Sequence, residues 1–180
     1  MIFNSIPNGF PVANSRVTSL FGMREHPILK KMKMHQGMDF SCRTGAPIIS
    51  TANGLVEKTK SSDQGYGKVI VVRHDYGFST IYAHLDSFKM SEGDFVSKGQ
   101  VIAYCGNSGQ STASHLHYEI RYLERPLDPE NFVYWNRDEF SSIFIKESRV
   151  KWDFLVKKIK ILVAKIRQPL SPEELLQKVK

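Results

Sequence analysis

Long hydrophobic runs are missing from this sequence. Apolar stretches such as 69–72 and 161–164 are four residues long, against the ~20 needed to cross a bilayer as a helix, so a chain with transmembrane helices is excluded. Cysteine is scarce. Cys42 and Cys105 are the only two, they form no C-x-x-C pair, and their spacing marks no metal or redox site. Both are expected to be ordinary buried thiols that pack as small hydrophobes. Glycine and proline, at 12 and 8 residues of 180, are too few for a collagen-like or low-complexity chain. The N-terminus lacks a basic cluster: Arg16 is the first charged residue. Residues 1–12 therefore do not show the basic-then-apolar order of a secretory signal.

What is present describes a folded protein. With 41% hydrophobic and 24% charged residues, the chain reads as one globular domain with a small appendage. The net charge of +7 is unevenly placed. Residues 1–150 hold 17 Lys and Arg against 15 Asp and Glu, while 151–180 hold 8 against 3. The basicity belongs to the tail. A nearly neutral body gives no support to nucleic-acid binding.

From Gly45 to Tyr122 the chain is a series of short runs with β character, punctuated by Gly, Asp and Ser. Segments 47–52, 55–60, 68–74, 78–85, 101–105 and 115–122 all read as strands. No long helical period interrupts them, which predicts antiparallel hairpins in a sheet or sandwich-like core. Helical spacing appears only near the end, where Trp152, Leu155, Val156, Ile159, Leu162, Val163 and Ile166 make one apolar face opposite a Lys-rich one. Pro169 ends that helix, and Ser171-Pro-Glu-Glu174 starts a second, short one as a capping box. The expected fold is mainly β over residues 1–142, with a C-terminal amphipathic helical appendage over 143–180. The apolar face of the first helix needs cover from the β domain, a second protein chain or an anionic membrane surface, with a homo- or hetero-oligomer through these helices as the leading expectation.

Six histidines are few enough to weigh singly. His35 and Asp39 lie in His-Gln-Gly-Met-Asp, an H-x-x-x-D pair whose side chains are both competent zinc ligands. Gly37 between them permits a tight approach. His115-Leu-His117 places two imidazoles on one face of a strand. Glu119 and Arg121 continue that face; Leu116, Tyr118, Ile120 and Tyr122 form the other. In segment 78–85, Ile81, Ala83 and Leu85 are expected on the core side, with Thr80, Tyr82 and His84 opposite. His74 and His26 lack comparable partners and read as structural or surface residues. Lys30-Lys-Met-Lys33, just before His35, reads as a solvated loop, with contact to acidic polymers as the alternative.

The set has a chemical logic. A catalytic zinc takes three protein ligands and keeps one open position. His35, Asp39 and one member of the His115/His117 pair supply three. The remaining histidine of the pair and His84 are then candidates to accept a proton from the activated water or to face the oxyanion.

Taken together the chain resembles the LytM/lysostaphin-type zinc metallopeptidases, which hydrolyse peptide bonds in bacterial cell-wall peptidoglycan. The resemblance rests on Arg16-Val-Thr-Ser-Leu-Phe-Gly-Met-Arg24, His35-Gln-Gly-Met-Asp-Phe40, Gly45-Ala-Pro-Ile48, Ala52-Asn-Gly-Leu-Val56, the stretch from Tyr66 to His74, Tyr82-Ala-His-Leu85, the Gly93 to Ile102 segment, and Gly106 through Arg121. These run in the family's order and cover residues 16 to about 132. The resemblance implies one Zn2+ per chain held by His35, Asp39 and His117. His84 and His115 then flank the attacking water and the oxyanion. Where relatives often have Gly-Pro just before H-x-H, this chain has Ala113-Ser114, which touches substrate preference.

The implied function is zinc-dependent hydrolysis of peptidoglycan stem-peptide cross-links, in cell-wall remodelling and cell shape. Since that substrate lies in the periplasm or cell envelope, an export signal is expected upstream of Met1. The main alternative is a catalytically silent scaffold or activator of another wall hydrolase. A lipoyl- or biotinyl-carrier reading of the Gly93 to Ile102 hairpin fails: no lysine sits at a suitable tip, and a carrier has no need of H-x-x-x-D and H-x-H.

Overall fold

The computed structural model describes residues 2–25, 30–136, 138–139 and 141–167. It forms two compact units, Met1–Glu147 and Ser148–Lys180. The first begins with a single turn, α1 (Ile2–Ser5), and contains twelve short strands. These are β1 (Val17–Ser19), β2 (Gly22–Glu25), β3 (Met32–His35), β4 (Met38–Ser41), β5 (Pro47–Ile49), β6 (Gly54–Lys60), β7 (Lys68–His74), β8 (Phe78–Phe88), β9 (Phe95–Val96), β10 (Val101–Cys105), β11 (His115–Tyr122) and β12 (Arg125–Leu127). Two short helices follow, α2 (Glu130–Val133) and α3 (Ser142–Lys146). The protein is therefore mainly β. The α3 turn falls in the first unit, past residue 142.

One antiparallel sheet runs β1-β4-β11-β8-β7-β6-β9, with β10 pairing β5 and the far end of β8, and β12 pairing β11. The β2–β3 hairpin stands apart as a second sheet. Side chains alternate across a sheet, and the registers fix which residues share a face. Opposite Tyr118 stand Met38 and Tyr82; opposite His117 stand Asp39 and Ala83. Met38, Phe40, Leu116, Tyr118, Ile120, Tyr82 and Ile70 thus point one way, and each is 0% exposed. Asp39, His117, Glu119, Ile81 and Ala83 point the other way.

This reverses the expectation for segment 78–85. Thr80 and Tyr82 belong to the interior, and Ile81 and Ala83 share the face of His117. Alternation misled because β8 is buried on both faces from Phe78 to Leu85, so polarity gave no guide to its inside. The polar interior groups are satisfied as a chain. The Tyr82 hydroxyl meets the Thr51 amide (3.1 Å) and Thr80 Oγ1 (3.1 Å), and Thr51 Oγ1 meets the Tyr118 hydroxyl at 2.8 Å. His74 ends the chain, buried, with Nε2 2.8 Å from Thr80 Oγ1 and Nδ1 donating to the Asn53 carbonyl at 2.8 Å.

Burial pushes His74 down to about 4, only partly opposed by the Asn53 carbonyl and the Asp75 charge. The unfolded chain takes up this proton near pH 6.5, so it binds more protons than the folded chain between the two values. The stability associated with a neutral His74 is full above pH 6.5 and is lost as the pH falls through about 4. The whole effect is roughly 3 kcal/mol. Urea unfolding at pH 7, 5.5 and 4 should therefore show a steeper acid decline for the wild type than for His74→Gln. Parallel declines in the two proteins refute it.

The cysteines are not free thiols. Cys42 and Cys105 form a disulfide with Cα atoms 6.3 Å apart. His115, at the start of β11, pairs with Ser41 on one side and Gly106 on the other. Cys42 and Cys105 are the chain neighbours of those two residues, so the sheet brings together positions 63 residues apart in sequence. That juxtaposition depends on strand order and leaves no local mark.

The second unit contains α4 (Trp152–Arg167). Trp152 and Leu155 are buried, while Phe154 and Ile161 are exposed. The expected second helix and the side chains of Ile159, Leu162, Val163 and Ile166 lie outside the described residues, as does His26. Among the described residues, no helix is long and apolar enough to cross a membrane.

Candidate metal and catalytic site

The site is built where β4 and β11 run side by side and the β2–β3 hairpin delivers His35. Asp39 stands opposite His117 in register, so the two side chains project from neighbouring strands on one face. The turn between His35 and Asp39 presses onto the same strand. A Cβ on Gly37 would lie 2.4 Å from the Tyr118 carbonyl oxygen and 2.9 Å from a carbon of the His117 ring. Only glycine lets the turn approach that closely.

Three ligand atoms converge. His35 Nε2 is 3.1 Å from Asp39 Oδ1 and 3.1 Å from His117 Nδ1, and His117 Nδ1 is 2.8 Å from Asp39 Oδ1. All three residues are buried. A tetrahedral zinc with bonds of about 2.0–2.1 Å holds neighbouring donors about 3.3 Å apart, so a small opening of the cluster would admit the ion. The far side of each ring fixes its orientation, as metal-ligating histidines require. His35 Nδ1 donates to the Leu20 carbonyl at 2.6 Å, and His117 Nε2 donates to Glu119 Oε1 at 3.0 Å. Both rings thereby aim their other nitrogen at one carboxylate oxygen. The donor set, two imidazoles and a carboxylate, fits zinc.

The electrostatics tie these groups tightly together. Burial pulls His117 down, but hydrogen bonds to Asp39 and Glu119 outweigh it and raise it to about 9. Burial likewise works to raise the Asp39 carboxyl, yet His117 and His35 hold it far below the usual carboxylate range. Glu119 is fully buried. Its desolvation is overcome by His117, Tyr66 and Arg121, which keep it ionised. Arg121 contributes two bonds to Oε2, from Nε at 2.9 Å and Nη2 at 2.7 Å, and the Tyr66 hydroxyl donates to Oε1.

His84 and His115 complete the group. His84 reaches the His117 face only through a break in β8. Between the pairs Lys68–Leu85 and Ile70–Tyr82, β8 carries one residue more than β7, and His84 sits there at φ 60°. Such left-handed backbone costs a non-glycine residue roughly 1–3 kcal/mol and gathers at functional sites. The His84 ring lies 4.8 Å from His115 and 5.9 Å from His117, centre to centre. His84 Nδ1 donates to the Ser108 carbonyl at 2.8 Å and His115 Nδ1 to the Ala113 carbonyl at 2.8 Å. Each ring so tied keeps Nε2 as a lone pair, ready to accept a proton. Burial, with the neighbouring imidazoles, holds His84 down to about 4 against the Ser108 carbonyl. His115 Nε2 stands 3.9 Å from Asp39 Oδ1, farther than either His35 or His117.

All five residues singled out from sequence therefore share one cleft of about 700 Å³, whose walls also include Arg16, Arg24, Lys33, Tyr66 and the 110–114 loop. Sequence reasoning gave Glu119 its correct face but not its bond to His117. Tyr66 and Arg24 were seen only as parts of matching segments; their places at Glu119 and Asp39 come from distant strands.

The chain is similar to known proteins. Residues 33–129 match Peptidase family M23. The chain is 40% identical over 119 residues to the DD-carboxypeptidase/endopeptidase Mpg of Neisseria meningitidis serogroup B, an alignment covering 66% of this chain and 27% of that protein. It thus spans little more than a quarter of that relative. A zinc-containing peptidase from Vibrio cholerae superposes with a TM-score of 0.62 at 32% identity, over 74% of this chain and 40% of the other. The catalytic domain of lysostaphin from Staphylococcus simulans also gives 0.62, at 28% identity, over 68% of this chain and 94% of that domain.

Proposed function

The chain belongs to peptidase family M23, and from that we propose that it is a zinc-dependent endopeptidase that hydrolyses the stem-peptide cross-links of peptidoglycan. The observation that carries the reading is the convergence of His35 Nε2, His117 Nδ1 and Asp39 Oδ1 within 3.1 Å of one another. These three residues would hold the metal. When bound, zinc acidifies a water and polarises the scissile carbonyl. His84 and His115 stand on the cleft side of the ligands with Nε2 available. One takes the proton of the attacking water and delivers it to the leaving amine, while the other faces the oxygen on which charge develops. Glu119 keeps His117 in the tautomer that presents Nδ1, and the Ser108 and Ala113 carbonyls do the same for the Nε2 atoms of His84 and His115.

The relative named a DD-carboxypeptidase/endopeptidase supports a bond between two D-centres as the target. The Cys42–Cys105 disulfide supports work in an oxidising compartment, and hence in the periplasm or cell envelope, where wall remodelling sets cell shape. The test is elemental analysis of the purified protein beside digestion of purified peptidoglycan. About one zinc per chain, with cross-linked dimers converted to monomers by mass spectrometry, is the expected result. Stoichiometric zinc with no cleavage sinks the enzyme reading and favours a scaffold or activator.

A further inference from the structure

The β2–β3 hairpin carries more than a zinc ligand into the cleft. Its register sets Gly22 opposite His35 and Arg24 opposite Lys33. Because side chains alternate, Arg24 and Lys33 occupy the face that presents His35, and both line the cleft. Glu25 falls on the other face, with Met23, Met32 and Met34. Two like charges directly opposite one another weaken an antiparallel pair, so the hairpin gains nothing for its own stability from this arrangement. Arg16 is a third cation lining the cleft.

Among the described residues the cleft offers these cations only one anionic contact, from Asp39 to Arg24. Its two carboxylates are Asp39 and Glu119. Glu119 is taken by Arg121, Tyr66 and His117. Asp39 faces His35 and His117 through Oδ1, leaving Oδ2 to Arg24 Nη2 at 3.3 Å. That is one long, single contact from a guanidinium built to grip a carboxylate with two parallel bonds. Arg24 Nε is buried without a hydrogen-bond partner among the described residues, and the side chain is 32% exposed. Lys33 and Arg16 form no ion pair among the described residues.

We infer that Arg24, assisted by Lys33 and Arg16, binds a free carboxylate of the substrate on the leaving-amine side of the scissile bond, which makes this wall specific for acidic stem-peptide cross-links over neutral glycine bridges. The inference rests on the proposed hydrolysis of wall cross-links and says which ones are taken. In a cross-link onto the D-centre of diaminopimelate, the carbon attached to the scissile nitrogen bears its own carboxylate. A D-alanine-terminated peptide carries a carboxylate at the same place. Within a glycine bridge that carboxyl is already spent in the next amide. Arg24 sits one carboxylate away from the Asp39 oxygen that faces the metal ligands, so a group next to the reacting amide falls within its reach.

The experiment compares two cross-linked muropeptide dimers that differ only in whether this carboxylate is free or amidated, with a pentaglycine-bridged dimer as the third substrate. Wild-type protein should show a KM about ten- to a hundredfold higher for the amidated dimer, as expected for losing a charge-assisted bond. Its kcat should change little, and the glycine bridge should be cut poorly. In Arg24→Gln the KM ratio should collapse toward one while zinc stays at about one per chain. Calorimetric binding of the two dimers to the zinc-free protein should give the same ratio with no turnover involved. Lys33→Gln, at an exposed strand position, should narrow the ratio severalfold. A wild type that cleaves both dimers with equal kcat/KM, or variants that keep the wild-type ratio, overturns the inference and leaves the hydrolase reading standing. A zinc-loaded wild type that cleaves none of the three substrates sinks both.

Discussion

His117→Ala should lose its zinc on dialysis, whereas His115→Ala should keep the metal and lose about two to four orders of magnitude in turnover, the range for a general acid–base group. The two residues share a strand face two positions apart, yet their surroundings differ. His117 Nδ1 is 2.8 Å from Asp39 Oδ1 and 3.1 Å from His35 Nε2. Removing it leaves one imidazole and one carboxylate, too few to hold zinc tightly. His115 Nε2 stands 3.9 Å from Asp39 Oδ1, and its ring packs against His84 instead. Deleting it removes a proton acceptor and spares the ligands. His84→Ala should behave like His115→Ala for the same reason. Elemental analysis beside cleavage of a cross-linked dimer decides the matter. Zinc loss from the His115 variant with retention in the His117 variant reverses the assignment.

Strand spacing alone left the two histidines equivalent, and only the family resemblance told them apart; the rest of the molecule divides along the same line between local pattern and long-range contact. Strands β7, β10 and β11 were legible end to end because each is a run of β-formers closed by Gly, Asp or Ser turns. The H-x-x-x-D and H-x-H spacings were legible because strand alternation is a local property. Strands β1 to β4 were not. Each is three or four residues long, and Met32-Lys-Met-His35 exposes its first three side chains. Such segments become strands through their partners, β4 on β11 and β3 on β2, not through propensity. The face of His84 was hidden by the extra residue in β8, since one inserted position moves every later side chain across the sheet. Arg24 beside Asp39 and Tyr66 beside Glu119 are contacts 15 and 53 residues apart. They depend on strand order, which no local pattern encodes.

The disulfide belongs to that same class of long-range facts, and breaking it should have the second largest effect. Joining residues 63 apart removes loop-closure entropy from the unfolded chain worth roughly 4 kcal/mol in the chain-entropy model, and loss of a native bridge typically costs 2–5 kcal/mol. Cys42→Ser/Cys105→Ser, or reduction of the wild type, should therefore lower the urea-unfolding free energy by about 2–4 kcal/mol and the Tm by roughly 10 °C. The bridge also clamps the two segments that pair with His115, Ser41 on one side and Gly106 on the other. His35, Asp39 and His117 do not depend on it for their mutual contacts. Below its lowered Tm the double variant should accordingly still hold zinc, while turnover falls as the His115 end of β11 and the 106–114 loop loosen. Unchanged unfolding free energy after complete reduction, followed by free-thiol titration, refutes the stabilising role. Loss of zinc together with the bridge shows instead that the clamp reaches the metal ligands as well as the proton acceptor.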